Sequence, residues 1–269
     1  MPRGFRTAPL GSLCVPGPLY SVRVLRAGFA ERVPAGSERV PAGSVRADGS
    51  VTLVSGGALT VLVDTGGPWL RDSLPGMLQE HGVTPDDVTH VIVTHGHSDH
   101  AGNVNLFPSA TLLMGFDLSR GEGLYLPHGL AQGVPLVLHP GHLEVIPTPG
   151  HTRAHVSLVA SGTSLGTVAV AGDAFERRED EEGDEEGREG WEALSEDPPE
   201  QRRSRRRLLR LADVIVPGHG RPFGVTKEWG HGGHHQEEEE EKEEEEDEDG
   251  ASGRGDGDGG GDESPAERT

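Results

Sequence analysis

Four side chains able to bind a metal ion fall within six residues of this 269-residue sequence: His95, His97, Asp99 and His100. The spacing of the first two histidines does not suit a helix, on which side chains three or four residues apart are neighbours. An extended or looped backbone instead lets alternate side chains converge on one metal ion while the others reach a second. Zn²⁺ accepts imidazole and carboxylate ligands, so the cluster indicates a zinc site.

Three later segments each add one ligand candidate. His151, Asp173 and His219 each follow a glycine, shortly after a run rich in β-branched or apolar residues. Strand ends on one edge of a sheet meet at a common rim, so we expect these residues to join the first cluster there.

Short strands must position these residues. The hydrophobic pattern predicts strands at 20–27, 59–63, 89–94, 110–114, 143–147, 155–160, 166–171 and 213–216. It predicts helices at 70–82 and around 201–212, and a hairpin over 45–54 that turns at Asp48-Gly49. This order of elements indicates a layered α/β fold in which two sheets are covered by helices on the outside.

The acidic charge is confined to two segments. The formal net charge is −21, but residues 236–269 hold 17 acidic and 3 basic residues and residues 176–200 hold 13 and 3. The rest of the chain sums to about +3, so the charge does not exclude a nucleic acid substrate. We predict a partly ordered segment at 1–19, one domain over 20–230 with an acidic insertion at 176–200, and a disordered acidic tail at 231–269.

Cysteine content and hydropathy limit the location of the chain. The single cysteine, Cys14, excludes a disulfide framework. No apolar run approaches the roughly 20 residues of a membrane span, and the N-terminus lacks the apolar region of a secretory signal. These features favour a protein of the cytosol or nucleus that has no membrane partner.

The order of the motifs resembles the metallo-β-lactamase superfamily. The matching elements are HxHxDH at 95–100, GH at 150–151, GD at 172–173, PGH at 217–219 and an Asp-Thr-Gly turn at 64–66. The resemblance implies an αββα sandwich with two Zn²⁺ ions at one edge of the sheets. The implied ligands are His95, His97 and His151 for the first ion, Asp99, His100 and His219 for the second, and Asp173 as the bridge. Asp64 is implied to support the ligand loop.

Hydrolysis is the implied reaction, because two Zn²⁺ ions about 3.5–4 Å apart lower the pKa of a shared water towards neutrality. Asp99 is a candidate for orienting that attacking water, which makes it a catalytic candidate as well as an implied ligand. The ligand set leaves the cleaved bond open. Glyoxalase II-like thioesterases, which act on small acyl substrates, share this set, and mononuclear iron dioxygenases of the superfamily keep a similar motif. A third interpretation is a non-enzymatic acidic interaction protein on a metal-binding scaffold, against which the intact set of seven ligands argues.

Segments outside the ligand motifs are similar to one RNA-processing branch of the superfamily. They lie at 63–69, 125–130 and 191–198. This resemblance implies a homodimeric dizinc endoribonuclease that cleaves the 3′ end of histone pre-mRNA. His128, in the second segment, is a candidate proton donor to the leaving group. A hydrogen-bonded structural histidine is the alternative.

One dense basic stretch precedes the last predicted strand. It is either an exposed helix face that pairs with the adjacent acids or a surface that contacts RNA phosphates. The candidate RNA contacts are Arg202, Arg203, Arg205, Arg206 and Arg207.

Overall fold

Two β-sheets packed face to face position the ligand-bearing loops. The computed structural model describes residues 4–34, 40–41, 43–181 and 190–227. The strands of these residues are β1 Phe5–Pro9, β2 Cys14–Val15, β3 Ser21–Arg26, β4 Phe29–Arg32, β5 Val45–Asp48, β6 Val51–Ser55, β7 Val61–Val63, β8 His90–Val93, β9 Thr111–Met114, β10 Asp117–Arg120, β11 Leu124–Tyr125, β12 Leu136–His139, β13 Leu143–Pro147, β14 Val156–Thr163, β15 Gly166–Gly172, β16 Val214–Pro217 and β17 Phe223–Lys227.

The helices are short except for the last. The α-helices of the described residues are α1 Leu74–Gln79, α2 Ser98–Ala101 and α3 Pro198–Leu211. Single 3-10 turns lie at Pro68–Leu70, Pro85–Asp87, Val104–Leu106, Leu130–Gln132, Arg178–Glu181 and Trp191–Leu194. The Asp197 side chain accepts a hydrogen bond from the backbone N–H of Glu200, and Pro198 is the first residue of α3. Both features start a helix well.

The sheets have seven and eight strands. The first has the order β1-β17-β16-β15-β14-β13-β12, and the second the order β11-β10-β9-β8-β7-β6-β3-β2. Neighbouring strands are antiparallel except for β7-β8-β9 and the pair β15-β16, which are parallel. Strands β4 and β5 form a separate two-stranded antiparallel sheet.

Alternating side chains give the second sheet two buried faces. Val61 and Val63 of β7 face the core between the sheets, where they join Val168 of β15. Leu62, between the two valines, belongs to a second core with Leu74 of α1. This strand is therefore apolar at every position, as parallel strands covered on both faces are.

The first sheet is covered in the same way on its outer face. Ala169 and Ile215 pack with Leu208 and Leu209 of α3 in a third core. The layers therefore run helix, sheet, sheet, helix. This confirms the layered α/β class and the αββα sandwich that the sequence predicted.

The predicted hairpin over 45–54 is wrong. Strand β5 pairs with β4, whereas β6 pairs with β3 and β7. The residues between them contact ligand-bearing loops instead: Gly49 N–H donates to Asp99 O at 3.1 Å, and Ser50 N–H donates to Gly218 O at 2.7 Å. Because the N–H groups of Gly49 and Ser50 bond to ligand-bearing loops, the chain bends at these residues, and β5 does not pair with β6.

Other differences concern the ends of elements and of the chain. The segment predicted to be partly ordered contributes β1 and β2 to the sheet edges, and β1 pairs with β17, a strand the sequence analysis did not predict. The helix predicted at 70–82 covers Leu74–Gln79 only. Residues 182–189 of the acidic insertion and the predicted tail at 231–269 lie outside the described residues. Within the described part, no helix is long and apolar enough to cross a membrane.

Candidate metal centre

Strand β8 delivers the first ligand cluster to the rim of the sandwich. Val91, Ile92 and Val93 are buried, which anchors the strand beneath the site. His97 keeps an extended backbone, with φ −69° and ψ 147°, and directly precedes α2. The backbone is therefore extended at the second histidine, while α2 carries the next two ligand candidates.

Three imidazoles converge at the first metal position. His95 Nε2 lies 2.9 Å from His97 Nδ1, and that atom lies 3.2 Å from His151 Nε2. Asp173 Oδ2 lies 3.6 Å from His95 Nε2 and 3.4 Å from His151 Nε2. Only His97 is exposed among these four, so the position is reached from solvent on the side of His97.

The second position lies beside the first and shares Asp173 with it. Asp99, His100 and His219 have ligand atoms within 4.8 Å of one another. Asp173 Oδ1 lies 3.2 Å from His100 Nε2, and Asp173 Oδ2 lies 3.1 Å from His219 Nε2. The structure thus brings all seven predicted ligands together, with the Asp173 carboxylate between the two groups of histidines.

Two glycines allow this close approach. Gly172 has a φ of +50°, and a Cβ at this residue would lie 2.6 Å from Thr94 Oγ1. A Cβ at Gly218 would lie 1.7 Å from Asp173 Oδ1. A side chain at either position would push away a residue of the site. Glycine is therefore required sterically directly before Asp173 and directly before His219.

Asp64 holds one of the ligands in place. Its carboxylate accepts hydrogen bonds from Thr94 N–H at 2.7 Å and Thr94 Oγ1–H at 2.9 Å, and it lies 2.8 Å from His100 Nδ1. Asp64 also has a φ of +57°, which is strained for a residue with a side chain. The contact at Nδ1 directs the other ring nitrogen, Nε2, towards the metal position.

Burial and neighbouring charges shift the pKa values of several histidines at the metal-free site. Burial alone would lower the pKa of His100, but Asp173 and Asp64 raise it well above its ordinary value. Burial likewise opposes the effect of Asp173 on His219, whose pKa is raised to about 9. Burial and the neighbouring His100 hold the pKa of His95 well below its ordinary value. In the metal-free protein, protons on His100 and His219 therefore offset part of the negative charge that a bound cation would offset.

Unsatisfied buried atoms show that the residues fit a metal centre. His100 Nε2 and Asp173 Oδ1 are buried, lie 3.2 Å apart and make no hydrogen bond of good geometry. A buried polar group without a partner costs about 1–3 kcal/mol, and a divalent cation would satisfy both atoms. Imidazole and carboxylate groups in this number suit two Zn²⁺ ions, which the residues above would hold.

His155 is a neighbour of the site that the sequence analysis missed. Its buried ring stacks on His95 with centroids 5.2 Å apart, and its Nδ1 lies 2.9 Å from Thr148 Oγ1. Burial lowers the pKa of His155 to about 3, so the ring is neutral and packs behind a ligand. The sequence placed this residue in a strand, where one histidine carries no signal of its own.

Asp48 and Gln201 also support ligands. Asp48 O lies 3.2 Å from His219 Nδ1, and its carboxylate accepts a hydrogen bond from Gly67 N–H at 2.9 Å. Gln201 Nε2 donates to Asp173 O at 2.9 Å. The predicted turn at Asp48 does not indicate this role, and nothing in the sequence of the arginine-rich helix singles out Gln201.

Glu176 is the least expected residue at the site. It is buried, and its Oε2 lies 3.8 Å from His219 Nε2. Burial, together with the neighbouring Asp173, raises the pKa of Glu176 to about 8. In the sequence, Glu176 is the first residue of the acidic insertion, but its spacing of three residues from Asp173 is a signal that it lies near the site.

His128 makes two contacts with the backbone. Its Nε2 lies 2.7 Å from Phe116 O, and its Nδ1 accepts a hydrogen bond from Leu130 N–H at 3.2 Å. These contacts occupy both ring nitrogens, as in a structural histidine. Its role as a proton donor stays a prediction.

The arginine candidates differ in their surroundings. Arg202 and Arg203 are exposed and pair with Glu192 and Glu200, respectively.

Arg205 is buried. Its guanidinium lies 4.3 Å from the ring of Phe175 and 4.5 Å from that of Trp191, and it donates to Ala174 O at 3.0 Å. Arg206 is partly buried, and exposed Arg207 donates to Pro147 O at 3.2 Å. RNA contact by any of these arginines stays a prediction.

Solved structures share the fold at low sequence identity. One is a metallo-β-lactamase-like protein of Thermotoga maritima, with a TM-score of 0.51 and 20% identity over 76% of this chain and 98% of that chain. Another is described as a probable metal-dependent hydrolase of Staphylococcus aureus, with a TM-score of 0.52 and 14% identity over 75% of this chain and 88% of that one. At this identity the likeness concerns the fold alone.

Sequence relatives match far more strongly. Metallo-beta-lactamase domain-containing protein 1 of Xenopus laevis is 54% identical over 83% of this chain and 89% of its own length. The human protein of the same name is 51% identical over 83% of this chain and 90% of its own length. The profile of the metallo-beta-lactamase superfamily matches residues 46–112 and 132–219. These matches include all seven ligand candidates, and the chain belongs to the metallo-β-lactamase superfamily of metal-dependent hydrolases.

Proposed function

We propose that this protein is a hydrolase with two Zn²⁺ ions per subunit. The observation that carries the proposal is the position of Asp173, whose two carboxylate oxygens lie 3.1–3.6 Å from four histidine nitrogens belonging to both metal positions. When bound, the two ions would activate a water for attack and polarise the substrate. Asp99 is partly exposed at the second position, where its carboxylate can accept a proton from that water.

The proposed substrate is RNA, with cleavage at the 3′ end of histone pre-mRNA. The support is the similarity of the segments at 63–69, 125–130 and 191–198 to an RNA-processing branch of the superfamily. The net charge of about +3 outside the two acidic segments is compatible with a polyanionic substrate. For this substrate, the proposed location is the cytosol and nucleus.

Parallel assays on two substrates test the proposal. The wild type and His97→Ala, with the exposed His81→Ala as matched control, are given a stem-loop RNA and a thioester in the presence of Zn²⁺. We expect wild type and His81→Ala to cleave the RNA, and His97→Ala to lose at least 100-fold in rate. Cleavage of the thioester alone would favour the glyoxalase II-like alternative. Failure to bind zinc, with no cleavage of either substrate, would favour a non-enzymatic scaffold.

We also propose that the protein is a homodimer. Trp69 and Tyr125 expose 60% and 68% of their surface, and exposed aromatic side chains of this size are typical of contact surfaces. Light scattering coupled to gel filtration should give twice the chain mass of 28.5 kDa. A monomer at micromolar concentration would contradict this part of the proposal.

A further inference from the structure

The carboxylate of Glu176 stands beside the metal centre without a role in the seven-ligand set. Its side chain is 5% exposed, and its nearest ion-pair partner is His219 Nε2 at 3.8 Å. The backbone fixes its position, because His219 N–H donates to Glu176 O at 2.7 Å.

Three carboxylates surround one imidazole nitrogen. His219 Nε2 lies 3.1 Å from Asp173 Oδ2, 3.6 Å from Asp99 Oδ2 and 3.8 Å from Glu176 Oε2. Carboxylates this close together repel one another when they are ionised, and burial adds to the cost. A divalent cation within reach of these oxygens would offset this repulsion.

The geometry provides a set of ligand atoms for such a cation. One atom each of Asp173, Glu176 and His219 lies within 4.8 Å of the other two, and all three residues are buried. Asp173 Oδ1 makes no hydrogen bond of good geometry. This set shares His219 Nε2 with the Asp99–His100–His219 set. Because one imidazole nitrogen binds one cation, only one of the two positions is occupied at a time.

We propose that Glu176 is a metal ligand that, with Asp173 and His219, forms an alternative position for the divalent cation of the second zinc position. The inference rests on the proposed metal-dependent hydrolase. Two carboxylates and one imidazole make this position richer in oxygen than the first position, which has three imidazoles. It therefore favours Mn²⁺, which prefers carboxylate ligands, more than the histidine-rich position does.

Metal titrations of four full-length proteins test the inference. Wild type, Glu176→Gln, Glu176→Asp and the control Glu179→Gln are stripped with a chelator. They are then titrated with Mn²⁺, followed by the electron paramagnetic resonance of the free ion, and with Zn²⁺, in competition with a chromophoric chelator. Glu179 is the matched control because it lies in the same segment, is exposed and pairs with Arg178.

We expect Glu176→Gln to weaken one Mn²⁺ binding event at least tenfold and to leave the tightest Zn²⁺ binding event within twofold of wild type. Glu179→Gln should match wild type throughout. Equal affinities of Glu176→Gln and wild type for both metals would overturn the inference. If Glu176→Gln does not fold, Glu176→Asp must show the same selective loss, because its carboxylate is withdrawn by one methylene. Wild-type binding by Glu176→Asp would then overturn the inference.

The result is independent of the proposed activity. A selective loss of Mn²⁺ affinity in Glu176→Gln supports the ligand role even if the loaded wild type cleaves neither RNA nor thioester, an outcome that would refute the hydrolase alone. Conversely, an active wild type whose metal affinities are unchanged by Glu176→Gln would refute the ligand role alone.

Discussion

The carboxylate of Asp64 lies 2.8 Å from Nδ1 of His100 and reaches that nitrogen from a strained backbone with a φ of +57°. The same carboxylate accepts two hydrogen bonds from Thr94, the residue that precedes the first ligand. One buried side chain thus links the turn after β7 to both ends of the ligand cluster. Its strain is compensated by three contacts at the site.

Asp64→Asn should therefore weaken metal binding. The carboxylate contacts Thr94 and His100 with two acceptor oxygens, whereas an amide has only one. The variant cannot keep all these contacts, so the ring of His100 loses its fixed orientation. We expect zinc affinity to fall 10–100-fold, as for other residues that support metal ligands. Competition with a chromophoric chelator measures this, with the exposed Asp72→Asn as control. Unchanged zinc affinity would show that His100 keeps its orientation without the carboxylate of Asp64.

Gly218→Ala should disrupt the centre without touching a ligand. The added Cβ would lie 1.7 Å from Asp173 Oδ1, so the bridging carboxylate must move. We expect bound zinc to fall from two ions to one or none by elemental analysis. The matched change is Gly76→Ala inside α1, where a Cβ meets nothing within 4 Å. That variant should keep its zinc and gain about 0.5–1 kcal/mol of stability. Full zinc occupancy in Gly218→Ala would contradict the steric argument.

The sequence predicted the grouping of the ligand candidates better than the residues that support them. The seven ligand candidates follow strand ends beside glycines, a pattern that can be read along the chain. His155 and Asp48 act through packing between distant segments, which no local spacing encodes. The wrong hairpin over 45–54 has the same cause, since the backbone of Gly49 bonds Asp99 rather than a facing strand.

The stability of the metal-free protein should fall as the pH rises. The pKa of His219 is about 9 in the folded chain, above its ordinary value near 6.5, and the pKa of His100 is also raised. Protons on these rings therefore stabilise the fold fully below pH 6.5, and this stabilisation is lost as the pH rises through 9. We expect the Tm of the stripped protein to drop by about 5 °C or more over this range.

Two variants check the source of this pH dependence. His219→Asn should flatten the Tm profile of the stripped protein between pH 6.5 and 9, whereas His81→Asn, at an exposed position, should leave the profile unchanged. A flat profile in the stripped wild type would mean that the carboxylates around His219 do not raise its pKa.

His128→Gln should separate a structural role from a catalytic one. Both ring nitrogens contact backbone groups, of Phe116 and Leu130, so the substitution should cost about 1–2 kcal/mol of unfolding free energy. The kcat on whichever substrate the wild type cleaves should change less than threefold. Urea unfolding and steady-state kinetics measure the two effects. A kcat reduced more than 100-fold at unchanged stability would instead support the proton donor predicted from the sequence.

Charge reversal of the exposed arginines of α3 tests the proposed RNA substrate. Arg202 and Arg203 pair with acidic neighbours, but RNA phosphates can replace those partners at little cost, because exposed ion pairs contribute little stability. In the double variant Arg202→Glu, Arg203→Glu, we expect kcat/KM for a stem-loop RNA to fall at least tenfold and its dependence on salt to weaken. Hydrolysis of a small ester should stay within twofold, and Arg120→Glu, exposed on β10, serves as the control. Equal loss on both substrates would show that these arginines support the fold rather than contact RNA.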